Sequence, residues 1–258
     1  MKRKLILFDV DGTLYDNAHQ CVPASTIAAL KSLKENHHEI VIATGRSYFM
    51  LYSINSIKEL IDHYILINGQ HIMAYGKNIY EDTIDARVLA KLIHSMTIRG
   101  LTYGFQSSEA EAINHLNPDV LASFDELKLN HPPLNPNFHL NNQVYQVWCF
   151  CTSAEASAIQ QENPDFDFIR WIQKGYDVIR KGQSKGKGLL FLKDYLGYDI
   201  EDVIAFGDGD NDIEMCQEAG YSIAMGNGTK RLIEAADEVT DSIDQDGIEK
   251  ALKRHQLI

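Results

Sequence analysis

Positive charge is what this chain of 258 residues is short of: 24 Lys and Arg stand against 36 Asp and Glu, for a formal net charge of −12. That balance argues against a sequence-independent grip on nucleic acid and against binding to anionic membranes. Cysteine is scarce as well. Among Cys21, Cys149, Cys151 and Cys216 there is no Cys-x-x-Cys pair. Cys149-Phe150-Cys151 would point both thiols to one side of a strand, and His131 and His139 are not distant in sequence, so zinc is a minor alternative to buried, reduced thiols. No apolar run is long enough to span a bilayer. Behind the basic Met1-Lys2-Arg3-Lys4 only a handful of apolar residues precede Asp9, too few for a signal-peptide core. The expected location is therefore the cytoplasm. Internal repeats and low-complexity tracts are missing too. Hydrophobic residues make up an ordinary 45%, and the length allows one large domain or two smaller ones, either with a substantial core.

What is present begins at Asp9-Val10-Asp11-Gly12-Thr13-Leu14. Two carboxylates two residues apart follow the apolar run Leu5-Ile6-Leu7-Phe8, which reads as a buried strand ending in a turn at Gly12. In an open α/β sheet the crevice beyond the carboxyl ends of the strands is where ligands bind. Carboxylates there can hold a divalent cation, attack an electrophile or move protons. A bare strand-to-turn junction, with Asp as cap and turn former, is common for one Asp before Gly but a poor account of the whole hexapeptide.

A second apolar run, Val203-Ile204-Ala205-Phe206, leads into Gly207-Asp208-Gly209-Asp210-Asn211-Asp212. If both strands share one parallel sheet, their carboxylates converge on one edge, which is unfavourable unless a cation sits among them. Mg²⁺ is the expected ion, because it prefers oxygen ligands and keeps waters that a substrate phosphate can replace. An EF-hand calcium loop fits poorly: the sixth position from Asp208 is Ile213 rather than Gly, and the twelfth is Ala219 rather than Glu. Asp210 reads as a turn residue more than a ligand.

Two further segments suit an anion. Glu39–Ala43 is a third strand reading, ending in Thr44-Gly45-Arg46, where a hydroxyl, backbone N–H groups and a guanidinium come together. Ser184-Lys185-Gly186-Lys187-Gly188 places a lysine near a helix start. Each of these alone is ordinary loop chemistry; their order and company give them weight.

Taken together, Asp9–Leu14, Thr44–Arg46, Lys185–Gly186 and Gly207–Asp212 resemble, in order, the four motifs of the haloacid dehalogenase-like hydrolase superfamily. Within it the chain is similar to the Cof-type phosphatases, which carry a large cap between the second and third motifs. Asn68-Gly69, Ala224-Met225-Gly226-Asn227 and Asp246-Gly247 match as well. The resemblance covers nearly the whole chain and is weakest through the middle.

The resemblance implies a Mg²⁺-dependent phosphatase acting on small phosphomonoesters. Asp9 matches the nucleophile that forms an aspartyl-phosphate, and Asp11 the general acid/base. An Asp at this second position favours hydrolysis. Mg²⁺ would be held by the Asp9 carboxylate, the Asp11 backbone carbonyl and Asp208, with Asp212 a ligand directly or through another group. Thr44, Gly45 and Asn211, with Arg46 close by, would hold the phosphoryl oxygens, and Lys185 would offset charge on Asp9 and phosphate.

The coarse pattern divides the chain. Residues 1–82 and 182–258 alternate strand and helix signals: helices at Pro23–Glu35, Ser47–Ile61, Lys187–Tyr195 and Asp210–Glu218, and strands at Leu5–Phe8, Ile40–Ala43, Tyr64–Ile67, Val203–Phe206 and Tyr221–Met225. This predicts an α/β fold, a Rossmann-like parallel sheet with helices on both faces. Residues 83–181 read as an inserted α+β cap, with a helix at Asp85–Thr97, strands at Gln143–Cys151 and Asp177–Ile179, and a loop at His131–Pro136. Closing as a lid, it would exclude water and select substrates. Candidate selectivity residues are Tyr103, His115, Asn141, Asn142, Tyr145 and Trp148.

The insert's 11 acidic and 8 basic residues offer no basic surface for nucleic acid. The expected partner is therefore a small phosphomonoester (a sugar phosphate, a phosphorylated cofactor or a nucleotide), with the protein a monomer or weak homodimer. A phosphomutase would share all four motifs. A receiver-type signalling module would carry its Asp on a later strand and needs about half this length. A non-catalytic phosphate-binding protein is the remaining alternative.

Overall fold

The computed structural model describes residues 2–126 and 130–258. In chain order, β1 (Leu5–Phe8), α1 (Ala24–Glu35), β2 (Glu39–Ala43), β3 (His63–Leu66), β4 (His71–Ala74) and β5 (Lys77–Glu81) come first. Then follow α2 (Ala86–Thr97), β6 (Thr102–Gln106), β7 (Glu111–Ile113), α3 (Pro118–Glu126), β8 (Gln146–Phe150), α4 (Ser153–Glu162), β9 (Phe166–Ile172) and β10 (Gly175–Arg180). The chain ends with α5 (Lys185–Leu196), β11 (Val203–Gly207), α6 (Ile213–Glu218), β12 (Tyr221–Ala224), α7 (Lys230–Ala235), β13 (Glu238–Val239) and α8 (Gly247–Arg254).

Two compact units result: residues 1–46, 51–81 and 184–258 form the first, and 47–50 with 82–183 form the second. The first holds an eight-stranded sheet in the order β13-β12-β11-β1-β2-β3-β4-β5. Its strands are parallel except for β4 and β5, which add an antiparallel hairpin at one edge. β1, β2 and β11 are buried along their whole length, as strands covered on both faces must be, which is why they read as unbroken apolar runs. Leu5 and Leu7 pack with Leu189 and Leu192 of α5 and Met215 of α6. Ile6 and Phe8 point the other way by strand periodicity, toward the face covered by α1 and α8. This is the α/β architecture expected from the alternating pattern.

The second unit is a five-stranded antiparallel sheet in the order β7-β6-β8-β10-β9. One face packs on α2 and α4 through Leu89, Leu92, Met96, Ala156 and Ile159. The other gathers Met50, Ile113, Val120, Phe124, Trp148 and Phe150.

Several local expectations need correction. Ser47–Ile61 is not a continuous α-helix: Tyr48–Leu60 forms 3₁₀ turns broken at Leu51 and Ile54. Ile67 leaves β3 and starts a tight turn with φ 50°. Asp210–Glu218 is a 3₁₀ turn followed by the short α6. The Gln143–Cys151 strand is shorter, beginning at Gln146. Tyr103, Tyr145 and Trp148 lie in the interior, whereas His115, Asn141 and Asn142 are exposed. The cysteines are all free, but Cys21 is exposed rather than buried. The sulfurs of Cys149 and Cys151 do share a side, 3.5 Å apart. His131 pairs instead with Asp125, and no zinc-type cluster occurs among the described residues.

Candidate active site

Parallel register sets the site. Phe8 lies opposite Ile42 of β2 on one side and Phe206 of β11 on the other, so the residues that follow these strands emerge at one sheet edge. Asp9 continues the ladder by one bond, its N–H donating to Phe206 O at 3.0 Å. Asp208 follows Gly207 directly, and Thr44 follows Ala43.

Lys185 joins this edge from the first turn of α5, whose N-cap is the Ser184 side chain accepting from Lys187 N–H. Its ammonium donates to Asp9 Oδ1 at 2.6 Å and to Asp212 Oδ1 at 2.7 Å. The Lys185 side chain is fully buried. Asp212 turns back on its own loop: Oδ2 accepts from the backbone N–H of Asp208 at 3.0 Å and of Gly209 at 2.9 Å. A Cβ on Gly207 would stand 2.6 Å from the Asp212 Cβ, so the strand must end in glycine for Asp212 to fold over it.

Asp9, Asp212 and the Lys185 ammonium are thus buried together with the half-buried Asp208 beside them, and their electrostatics are strained in a specific sense. Burial raises the Asp9 carboxyl to about 7; Lys185 opposes the rise, and Asp212 and Asp11 add to it. Burial followed by repulsion from Asp9 and Asp212 lifts Asp208 to about 8. Burial disfavours the Lys185 charge, yet Asp212 and Asp9 hold its pKa above the ordinary lysine value. One lysine cannot balance three carboxylates. Asp9, Asp208 and Asp212 each offer one oxygen, all within 4.8 Å of one another. Hard oxygen donors carrying surplus negative charge fit a divalent cation.

Of two residues given no role from sequence, Thr13 supports Asp208 directly and Asn227 braces the Gly12 turn beside it. The Thr13 hydroxyl donates to Asp208 Oδ1 at 2.9 Å, and Asn227 Nδ2 donates to Gly12 O at 2.8 Å while its Oδ1 accepts from Ile243 N–H. Gly12 itself has φ +81°, and a Cβ there would come within 2.2 Å of Asp208 Oδ2. Thr13 sits inside the first motif and Asn227 in a matching tail segment, so the signal was present without its geometry.

The remaining expected residues divide. Thr44 is buried at the end of β2, its Oγ1 accepting from Arg46 N–H at 3.2 Å. Gly45 lies between them in the same turn, and Asn211 lies in the 3₁₀ turn after β11. Asp210 stays out of the carboxylate group and accepts from Thr229 and Arg231. The Arg46 guanidinium makes a two-pronged pair with Asp11: Nε to Oδ2 at 2.8 Å and Nη2 to Oδ1 at 2.6 Å.

The same architecture recurs in known proteins. The family model for haloacid dehalogenase-like hydrolases matches residues 6–252. YkrA of Bacillus subtilis (strain 168) is 34% identical over 262 residues, spanning 100% of both chains. The pyridoxal phosphate phosphatase YbhA of Escherichia coli (strain K12) is 28% identical over 95% of this chain and 97% of its own. The solved structure of the HAD subclass IIB sugar phosphatase BT4131 has a TM-score of 0.92 at 31% identity, covering 99% of this chain and 100% of that one. With a match to the family over 247 residues (6 through 252) and its motif residues gathered at one sheet edge, this chain belongs to the haloacid dehalogenase-like hydrolases.

Proposed function

We propose that the protein is a Mg²⁺-dependent phosphatase that hydrolyses small phosphomonoesters through an aspartyl-phosphate on Asp9. The observation that carries this reading is the Lys185 ammonium held between Asp9 and Asp212, with Asp208 close enough to share a cation with both.

Asp9 is the nucleophile. One of its carboxylate oxygens attacks phosphorus as the ester P–O bond breaks, and Asp11 gives its proton to the departing alcohol oxygen. Asp11 then takes a proton from water, the water oxygen attacks phosphorus, and the Asp9–phosphorus bond breaks to release inorganic phosphate. Lys185 favours the ionised form of Asp9 and offsets charge gathering on the phosphoryl oxygens. Thr44, Gly45 and Asn211 hold those oxygens. The Asp9 and Asp208 carboxylates and the Asp11 backbone carbonyl are the proposed metal ligands, joined by Asp212 directly or through Asp208. Bound there, Mg²⁺ would neutralise part of the charge on the nucleophile and the phosphoryl group, so that two anions can meet.

Substrates of the relatives support the class. YbhA is named for pyridoxal phosphate and BT4131 for sugar phosphates; both are small phosphomonoesters. Selectivity beyond the phosphate falls to the insert in this reading, and the absence of a basic surface excess in its sequence fits a small ligand.

The test is a screen of phosphorylated metabolites with Mg²⁺, reading released phosphate, run beside Asp9→Asn. The variant keeps the side-chain shape but removes the nucleophile, and turnover is expected to fall at least ~10³-fold with circular dichroism unchanged. Activity within tenfold of wild type would refute the assignment.

A further inference from the structure

The guanidinium of Arg46 was expected to serve the phosphate. Instead its flat fork lies against Asp11, with two N–H groups matched to the two carboxylate oxygens at 2.8 and 2.6 Å. Both oxygens of Asp11 are thereby engaged, which fixes the plane of the carboxyl group as well as its direction. Arg46 is well placed to hold it. Its side chain is only 8% exposed against 32% for Asp11, its N–H donates to Thr44 Oγ1 at 3.2 Å, and its carbonyl accepts from Ile67 N–H at 3.2 Å. The backbone at Arg46 is thus anchored to the ends of β2 and β3, while its side chain reaches the turn after β1.

We infer that Arg46 is a positioning residue for proton transfer: it aims Asp11 at the leaving-group oxygen rather than binding the phosphoryl group. The inference rests on Asp11 being the general acid/base of the proposed reaction. A carboxyl group on a half-exposed turn samples several rotamers, and proton transfer needs one of them in hydrogen-bond reach of the ester oxygen. A bidentate guanidinium removes that freedom, and each Asp11 oxygen keeps a second lone-pair site on which the proton passed to the leaving oxygen can sit. Lysine, a point charge without the fork, would keep the ion pair and lose the alignment.

This role has a signature that phosphate binding lacks. Cleaving p-nitrophenyl phosphate expels an anion that needs no proton, whereas an alkyl phosphate expels an alkoxide that does. The measurement is kcat/KM for both esters, which reports the steps through phosphoryl transfer to Asp9, together with the inhibition constant of inorganic phosphate. For Arg46→Lys and Arg46→Gln, kcat/KM on the alkyl ester is expected to fall at least ~10-fold more than on the aryl ester. Phosphate inhibition should stay unchanged. Because the ratio is taken within one protein sample, partial misfolding does not affect it.

Equal losses on the two esters with weaker phosphate inhibition would assign Arg46 to the phosphoryl group and overturn the inference. So would wild-type kinetics in both variants. Asp11→Asn separates this from the underlying reaction: if that variant shows no selective loss on the alkyl ester, Asp11 is not the acid and the role of Arg46 falls with it. If Asp11→Asn shows the loss and the Arg46 variants do not, only the positioning role fails.

Discussion

Thr13 donates its hydroxyl hydrogen to Asp208 Oδ1 at 2.9 Å, although 195 residues of sequence separate them. The bond fixes one oxygen of a carboxylate that burial and its acidic neighbours drive toward protonation, and it opposes that drive. Thr13→Val keeps the shape of the side chain and removes the donor. The Mg²⁺ concentration for half-maximal phosphate release is expected to rise ~10-fold, in line with the loss of other hydrogen bonds behind metal ligands. An unchanged Mg²⁺ dependence would mean that Thr13 does nothing for Asp208.

Removal of the cation makes a second prediction. Chelator should abolish phosphate release and Mg²⁺ restore it, while Asp208→Ala raises the Mg²⁺ requirement sharply. Ca²⁺ should bind and support little turnover, since it accepts looser, higher-coordinate geometry than in-line transfer wants. The ion should also raise Tm, because it binds the folded arrangement of Asp9, Asp208 and Asp212 and relieves their repulsion. Full activity in excess chelator, or a Tm indifferent to Mg²⁺, would count against the carboxylate site.

A third prediction lies at the opposite end of β2. Glu39 is buried, which by itself would raise its pKa. The His63 imidazole 3.5 Å away, with hydrogen bonds from Tyr75 (2.5 Å) and Tyr198 (2.7 Å), more than offsets this and holds the carboxyl down at about 2. Arg3 pairs with the same carboxylate. A folded pKa below the ordinary 4.5 means that the stabilisation is fully present above pH 4.5 and is lost as pH falls toward 2. Its size is on the order of 3 kcal/mol at most. Unfolding free energies of wild type and Glu39→Gln, measured by denaturant between pH 6 and pH 3, should therefore converge as pH drops. Parallel curves would show that the cluster does not hold the charge.

The sheet and the cluster of carboxylates at its edge were legible because the sequence states them locally. β1, β2 and β11 read as apolar runs because both their faces are covered, and β1 and β11 end in turns whose glycines, Gly12 and Gly207, have a steric reason. Other features depend on contacts that no short window contains. Tyr48–Leu60 reads as a helix by its apolar content, yet Ser47–Met50 packs with the second unit while Leu51 onward belongs to the first. Two sets of neighbours pull on one segment. Ser53, Asn55 and Ser56 are residues that compete for backbone hydrogen bonds, and they lower the resistance to breaking. The β4–β5 hairpin escaped notice because its two-residue loop is Tyr75-Gly76, with φ 48° and 75°. The usual signal for such a turn is Asn-Gly or Asp-Gly. At the site, motif order places Arg46 and Asp11 at neighbouring strand ends, but a guanidinium can reach phosphate or carboxylate with equal ease. Only the side-chain geometry decides between them.

Asp82 accepts hydrogen bonds from both Arg180 and Gln183, so the first residue of the insert is tied to the last ones. A segment of about a hundred residues therefore leaves the main chain and returns to it at one clasped point, its ends no farther apart than a tight loop would need. The rest of the chain could accept a different segment at the same two positions, or a short bridge, without stretching a strand or opening the sheet. Exchange of whole inserts between relatives is then a geometrically simple change, because Asp9, Asp11, Asp208 and Asp212 all lie outside the exchanged piece and stay where they are.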